Sequence, residues 1–404
     1  MSRRWIVLLL VVSGCTAAPS HPAAAVSSNS AAPSASATAS AAVNPSPSVS
    51  ATPQSVPATP PVTSTLLFAA LEAKGTSDAT QWNTIAIAGL DGYARAKATF
   101  TPLPRPYVGC AGAVLPQSAY AVAGKVYYSD GAGVVRSLAP GGQPVAVTSF
   151  PLTSTQQMLS FAVSPDGGQV LGTIFTLPPK PAGGGDPCAG AGTSPFAAGN
   201  FSLDVYAAGA GATSHLLYHQ DLGTFGGSQL QVLSFIGWDA VGPLATDQTV
   251  WASQGGGPVH YVGLPVRVDP TTGKVVKPLS DQSCFVWDIA ASGDYVCVDG
   301  DGRIWVRRAA GSEVWHLPPI VTGYRYDLLS PDEGHIADLS GLVFNRDGST
   351  IPMPNVFSGY SGWLDGTTLI SGDFTKNLSY MNLGAPANVV DLGFKGAFIG
   401  TVRS

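Results

Sequence analysis

Five cysteines carry the most reactive side chains in this chain. Cys15 lies near the start; Cys110, Cys188, Cys284 and Cys297 lie in its body. Metal ligation by thiolates calls for CxxC pairs or histidines at ligand spacing, and none of these cysteines has such neighbours. His215 and His219 stand four apart, the spacing of a helical metal pair, but Ser214–His219 alternates as a strand and HExxH is absent. On a strand the two imidazoles are expected two pleats apart on one face. Asp299-Gly300-Asp301-Gly302 has two carboxylates at a calcium-loop spacing but lacks the further oxygen donors and the distal Glu, so it reads as a hairpin turn. The triplets Gly183–Gly185 and Gly255–Gly257 are not followed by Lys-Ser/Thr, so they are not phosphate-binding loops. There is no Gly-x-Ser-x-Gly elbow, and no His has a nucleophile and an acid about it in sequence. No catalytic residue, metal ligand or cofactor is assigned on this basis.

Charge narrows the function classes. The 404 residues hold 20 Lys+Arg against 25 Asp+Glu, a formal balance of −5, so there is no basic footprint for nucleic acid. Charged residues make up 11% of the chain, under half the usual share of about 25%, which excludes a polyelectrolyte-like disordered chain and a coiled coil. With 48 Gly and 33 Pro, tight turns must be frequent.

The first residues read as an address. Arg3 and Arg4 precede an apolar run, Trp5–Val12. Eight residues make a helix of about 12 Å, too short for a bilayer core of about 30 Å. Residues 1–14 are therefore a signal segment. Val12-Ser13-Gly14-Cys15 resembles the bacterial lipoprotein signal, in which small residues precede a cysteine that is lipidated and becomes the new N-terminus. The resemblance implies an extracytoplasmic protein held on the cell membrane through Cys15. Thr16–Thr65 contains no Asp, Glu, Lys, Arg or aromatic residue, only Ala, Ser, Thr, Pro and a few others. It cannot bury enough apolar surface to offset ordering, so residues 15–65 are expected to form a disordered tether with a reach of about 40 Å.

From residue 66 to 404 the pattern is all-β. Strand signals recur at Thr65–Ala70, Asn83–Ala88, Lys125–Ser129, Met158–Val163, Gln169–Ile174, Phe201–Tyr206 and His215–His219. The breaks between strands carry Asp-Gly at 91–92, 130–131, 166–167, 301–302, 347–348 and 365–366. Internal repetition gives the architecture. Lys125-Val126-Tyr127-Tyr128-Ser129-Asp130-Gly131-Ala132-Gly133 overlays Asp294-Tyr295-Val296-Cys297-Val298-Asp299-Gly300-Asp301-Gly302 without a gap. Each copy belongs to a four-stranded meander, the blade of a β-propeller. Seven antiparallel blades are expected, six being the alternative because the boundaries near 324–360 are blurred. Blade 2 spans about 117–150, blade 3 158–221, blade 4 230–281, blade 5 284–318, blade 6 324–354 and blade 7 359–392. Blade 1 takes three strands from 66–101 and its fourth from Gly396–Val402, closing the ring.

Two turns carry a family resemblance. Phe161-Ala162-Val163-Ser164-Pro165-Asp166-Gly167 resembles the first-to-second strand turn of TolB-like propeller repeats, and Leu328-Leu329-Ser330-Pro331-Asp332-Glu333-Gly334 is a degraded copy. Val268-Asp269-Pro270-Thr271-Thr272-Gly273-Lys274-Val275 resembles the third-to-fourth strand turn of quinoprotein-type propellers. The resemblance implies a fold and no particular activity.

Blade register then organises the remaining residues. An oxidising compartment and an even count make disulfides the expectation for the four body cysteines. Cys284 and Cys297 fall on adjacent strands of blade 5. Cys110, entering blade 2, and Cys188, inside blade 3, fall on connections of one face. Trp238, Trp251, Trp287, Trp305, Trp315 and Trp363 mostly occupy strand positions and are expected between blades. Three segments exceed what a blade connection needs: Thr101–Ala113, Leu177–Asn200 and Ser253–Pro265. They carry Arg105, Tyr107, Asp186, Phe196, His260 and Tyr261, a recognition-type mixture expected to form one rim over blades 2–4. The reading is a monomeric binding or scaffolding propeller whose partner is an envelope protein or glycan, with no nucleic acid; a propeller hydrolase or lyase acting on an envelope glycan or peptide is the alternative.

Overall fold

A computed structural model of the chain describes residues 66–403, apart from 73–82, 105, 107–118, 181, 183–198, 225–230, 250–263, 280–283, 318–326, 339–340, 355–359 and 373–376. Cys15, the tether, Cys110, Cys188, Trp251, Arg105, Tyr107, Asp186, Phe196, His260 and Tyr261 lie outside the described residues.

Strands follow one another in seven antiparallel groups. The first three are β1 (Leu67–Glu72), β2 (Thr84–Gly89) and β3 (Ala94–Thr99). Blade 2 is β4 (Ala119–Val122), β5 (Lys125–Ser129), β6 (Val134–Leu138) and β7 (Val145–Ser149). Blade 3 is β8 (Gln157–Val163), β9 (Gln169–Thr176), β10 (Asn200–Gly209) and β11 (His215–Thr224). Blade 4 is β12 (Gln231–Trp238), β13 (Pro243–Thr249), β14 (Leu264–Val268) and β15 (Val275–Pro278). Blade 5 is β16 (Cys284–Ile289), β17 (Tyr295–Asp299), β18 (Ile304–Arg307) and β19 (Glu313–Leu317). Blade 6 is β20 (Asp327–Leu329), β21 (His335–Asp338), β22 (Leu342–Asn345) and β23 (Thr350–Pro352). Blade 7 is β24 (Tyr360–Trp363), β25 (Thr368–Gly372), β26 (Asn377–Asn382) and β27 (Val389–Lys395). The last strand, β28 (Ala397–Val402), pairs with β1, so blade 1 reads β28-β1-β2-β3. The fold is a seven-bladed propeller closed by strands from both ends of the domain, and the six-blade alternative falls away.

Ring order follows from which strands abut. β28 lies beside β24 and β4, and β4, β8, β12, β16, β20 and β24 each begin their blade at the inner edge. Burial explains the sequence pattern: strands of the inner half are nearly continuous apolar runs, as in β2 and β25, because both sheet faces pack on a neighbouring blade. Outer strands such as β15 are exposed along their length. Trp315 and Trp363 fill these seams as expected, donating their indole N–H to the carbonyls of Glu333 (3.0 Å) and Leu328 (3.1 Å) in blade 6.

The turns follow the motifs. Ser164-Pro165-Asp166-Gly167 joins the first and second strands of blade 3: Ser164 Oγ donates to Asp166 Oδ1 (2.5 Å), the Gly168 amide donates to the same carboxylate, and Gly167 takes φ +73°. Ser330–Gly334 builds the same turn in blade 6, with Ser330 Oγ on Asp332 at 2.6 Å, and Glu333 takes the left-handed position at φ +60°. Val268–Val275 is indeed the third-to-fourth strand connection of blade 4.

The overlaid repeats correspond down to atoms. Asp130 Oδ1 accepts the amides of Ala132 and Val134, both at 3.0 Å, and Asp299 Oδ1 accepts those of Asp301 (3.0 Å) and Arg303 (2.9 Å). The second carboxylate oxygen takes Arg136 Nε (2.9 Å) in one blade and Trp305 Nε1 (2.8 Å) in the other, from the matched strand position. Asp299-Gly300-Asp301-Gly302 is therefore a hairpin turn. Burial pushes the Asp299 carboxyl up, yet the indole and amide donors hold it below the ordinary carboxylate range.

Candidate binding face

Strand polarity divides the connections between two faces. In each four-stranded antiparallel blade the first-to-second and third-to-fourth connections leave at one end. The second-to-third connections and the links between blades leave at the other. On the first face every connection is short, from residues 123–124 between β4 and β5 to residues 383–388 between β26 and β27. The other face receives residues 73–83, 100–118, 177–199 and 250–263. The three segments singled out from sequence thus share one face, in blades 1 to 4. The rim residues themselves lie outside the described residues.

The roots of two of these segments are fixed. The Gly131 amide donates to Thr101 O (2.7 Å), and a Cβ on Gly131 would sit 2.7 Å from Pro102 O, so only glycine lets residues 101–102 cross the blade 2 turn. Leu103 packs into the apolar seam between blades 2 and 3. In blade 3, Gln156 Nε2 donates to Pro178 O (2.9 Å), the Leu177 amide donates to Gln156 O (2.9 Å), and Phe175 stacks on Phe201 with ring centroids 5.9 Å apart. Segment 100–118 therefore starts across the blade 2 turn toward the seam between blades 2 and 3, and segment 177–199 starts from blade 3.

Other candidates are placed differently. Cys284 and Cys297 form a disulfide with Cα atoms 5.4 Å apart; both are buried, on β16 and β17. His215 and His219 do not share a face. A bulge in the β10–β11 pairing places one extra residue between them, so His219 opposes Asp204 while His215 opposes Ala207. His219 Nδ1 lies 2.6 Å from Asp204 Oδ1, and His316 Nδ1 lies 2.7 Å from Glu313 Oε1. Both pairs sit exposed on outer strands, away from the inner ring. Among the described residues no three His, Cys, Asp or Glu side chains gather as a metal site.

One inner-strand group was not singled out from sequence. Asp288 on β16 accepts the Leu329 amide of the next blade (2.8 Å) and the Ile289 amide (2.9 Å). The residue as a whole is half-buried, but its carboxylate is enclosed, and burial pushes its pKa up to about 7 against those two amides. No local motif marks it; only its place on a blade's first strand, facing the next blade, could have done so.

No family model and no curated protein matches the chain. Among solved structures it is similar to oligogalacturonate lyase in complex with manganese, at 10% identity over 78% of this chain and 90% of that one, with a TM-score of 0.44. It is also similar to apo AztD from Citrobacter koseri, at 10% identity over 83% and 97% of the two chains (TM-score 0.41). The C-terminal WD40 domain of Sif2 matches at 12% identity over 70% and 76%, with a TM-score of 0.37. The propeller assignment rests on the sheet order of this chain itself.

Proposed function

We propose that the chain is a lipid-anchored, extracytoplasmic propeller that works as a binding module, engaging an envelope protein or glycan through the face that carries its long connections. The observation that carries the binding reading is the asymmetry between the faces: insertions accumulate on one and are kept out of the other. The anchor reading is supported by Val12-Ser13-Gly14-Cys15 and by the uncharged Ala/Ser/Pro segment after it. Leu67 pairs with Val402, so the chain joins blade 1 at the short-turn face.

The anchor is tested by growth with a labelled fatty acid. The protein takes up label, and Cys15→Ala abolishes it; label retained by Cys15→Ala overturns the anchor reading.

A further inference from the structure

Aspartate is followed by glycine seven times in the chain, at Asp91, Asp130, Asp166, Asp299, Asp301, Asp347 and Asp365. Such a pair can rearrange without a catalyst, because glycine has no side chain to keep its main-chain nitrogen away from the aspartate carboxyl. Two conditions control the reaction. The carboxyl must be free to swing toward the next nitrogen, and the peptide between the two residues must be free to rotate.

Six of the seven carboxylates are held. Asp91 accepts the Tyr93 amide (3.1 Å) and the Arg95 guanidinium. Asp130 accepts the Ala132 and Val134 amides and Arg136 Nε. Asp166 takes Ser164 Oγ and the Gly168 amide, and Asp299 takes the amides of Asp301 and Arg303 and the Trp305 indole. Asp347 accepts the Ser349 amide (2.9 Å) and hydroxyl (2.6 Å), and Asp365 those of Thr367 (2.8 and 3.2 Å). Four of the glycines are packed as well. A Cβ on Gly92 would lie 2.6 Å from Leu392 O, one on Gly131 2.7 Å from Pro102 O, and one on Gly167 2.6 Å from the Tyr127 hydroxyl. One on Gly366 would strike the Asp332 carboxylate.

Asp301 differs. Its side chain is 73% exposed, and the group nearest its carboxylate is Arg303 Nη1 at 3.8 Å, beyond hydrogen-bond distance and itself on an exposed side chain. A Cβ on the preceding Gly300 would meet nothing within 4 Å, so the turn is unobstructed there. The Gly302 amide donates to Asp299 O (3.0 Å), but Gly92, Gly167 and Gly348 make the equivalent turn bond at 3.0, 2.8 and 2.9 Å. That bond therefore does not distinguish the pairs; the unheld carboxylate does.

We propose that Asp301-Gly302 is a site of spontaneous isoaspartate formation in the folded chain. The Gly302 main-chain nitrogen attacks Cγ of Asp301; an N–C bond forms, and the amide proton and a carboxyl hydroxyl leave as one water. Water then adds to either carbonyl of the resulting succinimide and breaks one of its two N–C bonds. One opening restores aspartate; the other routes the main chain through the former side chain and leaves the old α-carboxyl as the free carboxylate. No co-reactant besides water is needed, and mass and charge are unchanged. The added main-chain carbon falls between the Asp301 and Arg303 amides that Asp299 gathers, so it loosens the hairpin joining the second and third strands of blade 5. The proposal does not depend on whether that face binds a partner.

The test incubates the full chain near neutral pH, folded and in urea, and maps isoaspartate by electron-transfer fragmentation of its peptides. In the folded chain isoaspartate at residue 301 is expected to exceed that at each of the other six positions by about tenfold or more, the slowing imposed by one charge-assisted hydrogen bond that must first be released. In urea the seven converge. Asp301→Glu, which keeps the charge, removes the dominant signal. Isoaspartate spread evenly over the seven pairs in the folded chain, found first at a held aspartate, or absent at residue 301 while the urea sample reacts, overturns the proposal.

Discussion

Among the described carboxylates, Asp288 is held furthest from its ordinary range. A carboxyl that stays protonated to about pH 7 in the folded chain, against about 3.9 when unfolded, makes folding take up a proton between those values. Its contribution is therefore largest below pH 4 and is lost as pH rises through about 7. The turn carboxylates Asp166, Asp269 and Asp347 run the other way, held low by side-chain and amide donors, so their stabilisation is lost below pH 4. Urea unfolding of wild type and Asp288→Asn from pH 4 to 8 separates the two. The difference between the proteins changes steadily across pH 4 to 7, the wild type losing stability relative to the variant; parallel profiles contradict this. Nothing in the sequence around Asp288 pointed to it, because its environment is made by a strand 41 residues away in blade 6.

At the scale of elements, the strands were readable because each blade is local. Lys125–Ser129 is a strand with the boundaries expected, and the Asp-Gly pairs all fall in connections between strands. Alternation is also broken where a bulge intervenes, as between His215 and His219, since one extra residue reverses every side chain beyond it. Blade 5 was also read correctly down to its crosslink. Cys284 and Cys297 close a loop with a separation of 13 in sequence, for which chain entropy gives about 3 kcal/mol. Cys284→Ala with Cys297→Ala is expected to lower unfolding free energy in denaturant titrations by about 2–4 kcal/mol. A change below about 1 kcal/mol would mean that the crosslink only fills the seam.

At the scale of the molecule, the same logic of chain order that closes the ring assigns the faces. Blade 1 could be foreseen because three strands at one end of the domain needed a fourth from the other. The face of the long segments could be foreseen because strand polarity alone fixes it. What sequence did not disclose was the enclosed Asp288 carboxylate between blades 5 and 6, which depends on which face of each strand meets which neighbour. The central claim is that partners engage the long-connection face. A photo-reactive residue placed at Tyr107 or Tyr261, against one placed at Thr272 or Asp347 on the short turns, tests it in intact cells. Adducts of higher mass from the first pair and none from the second are the expected result; adducts from the short-turn positions alone, or from all four equally, contradict it.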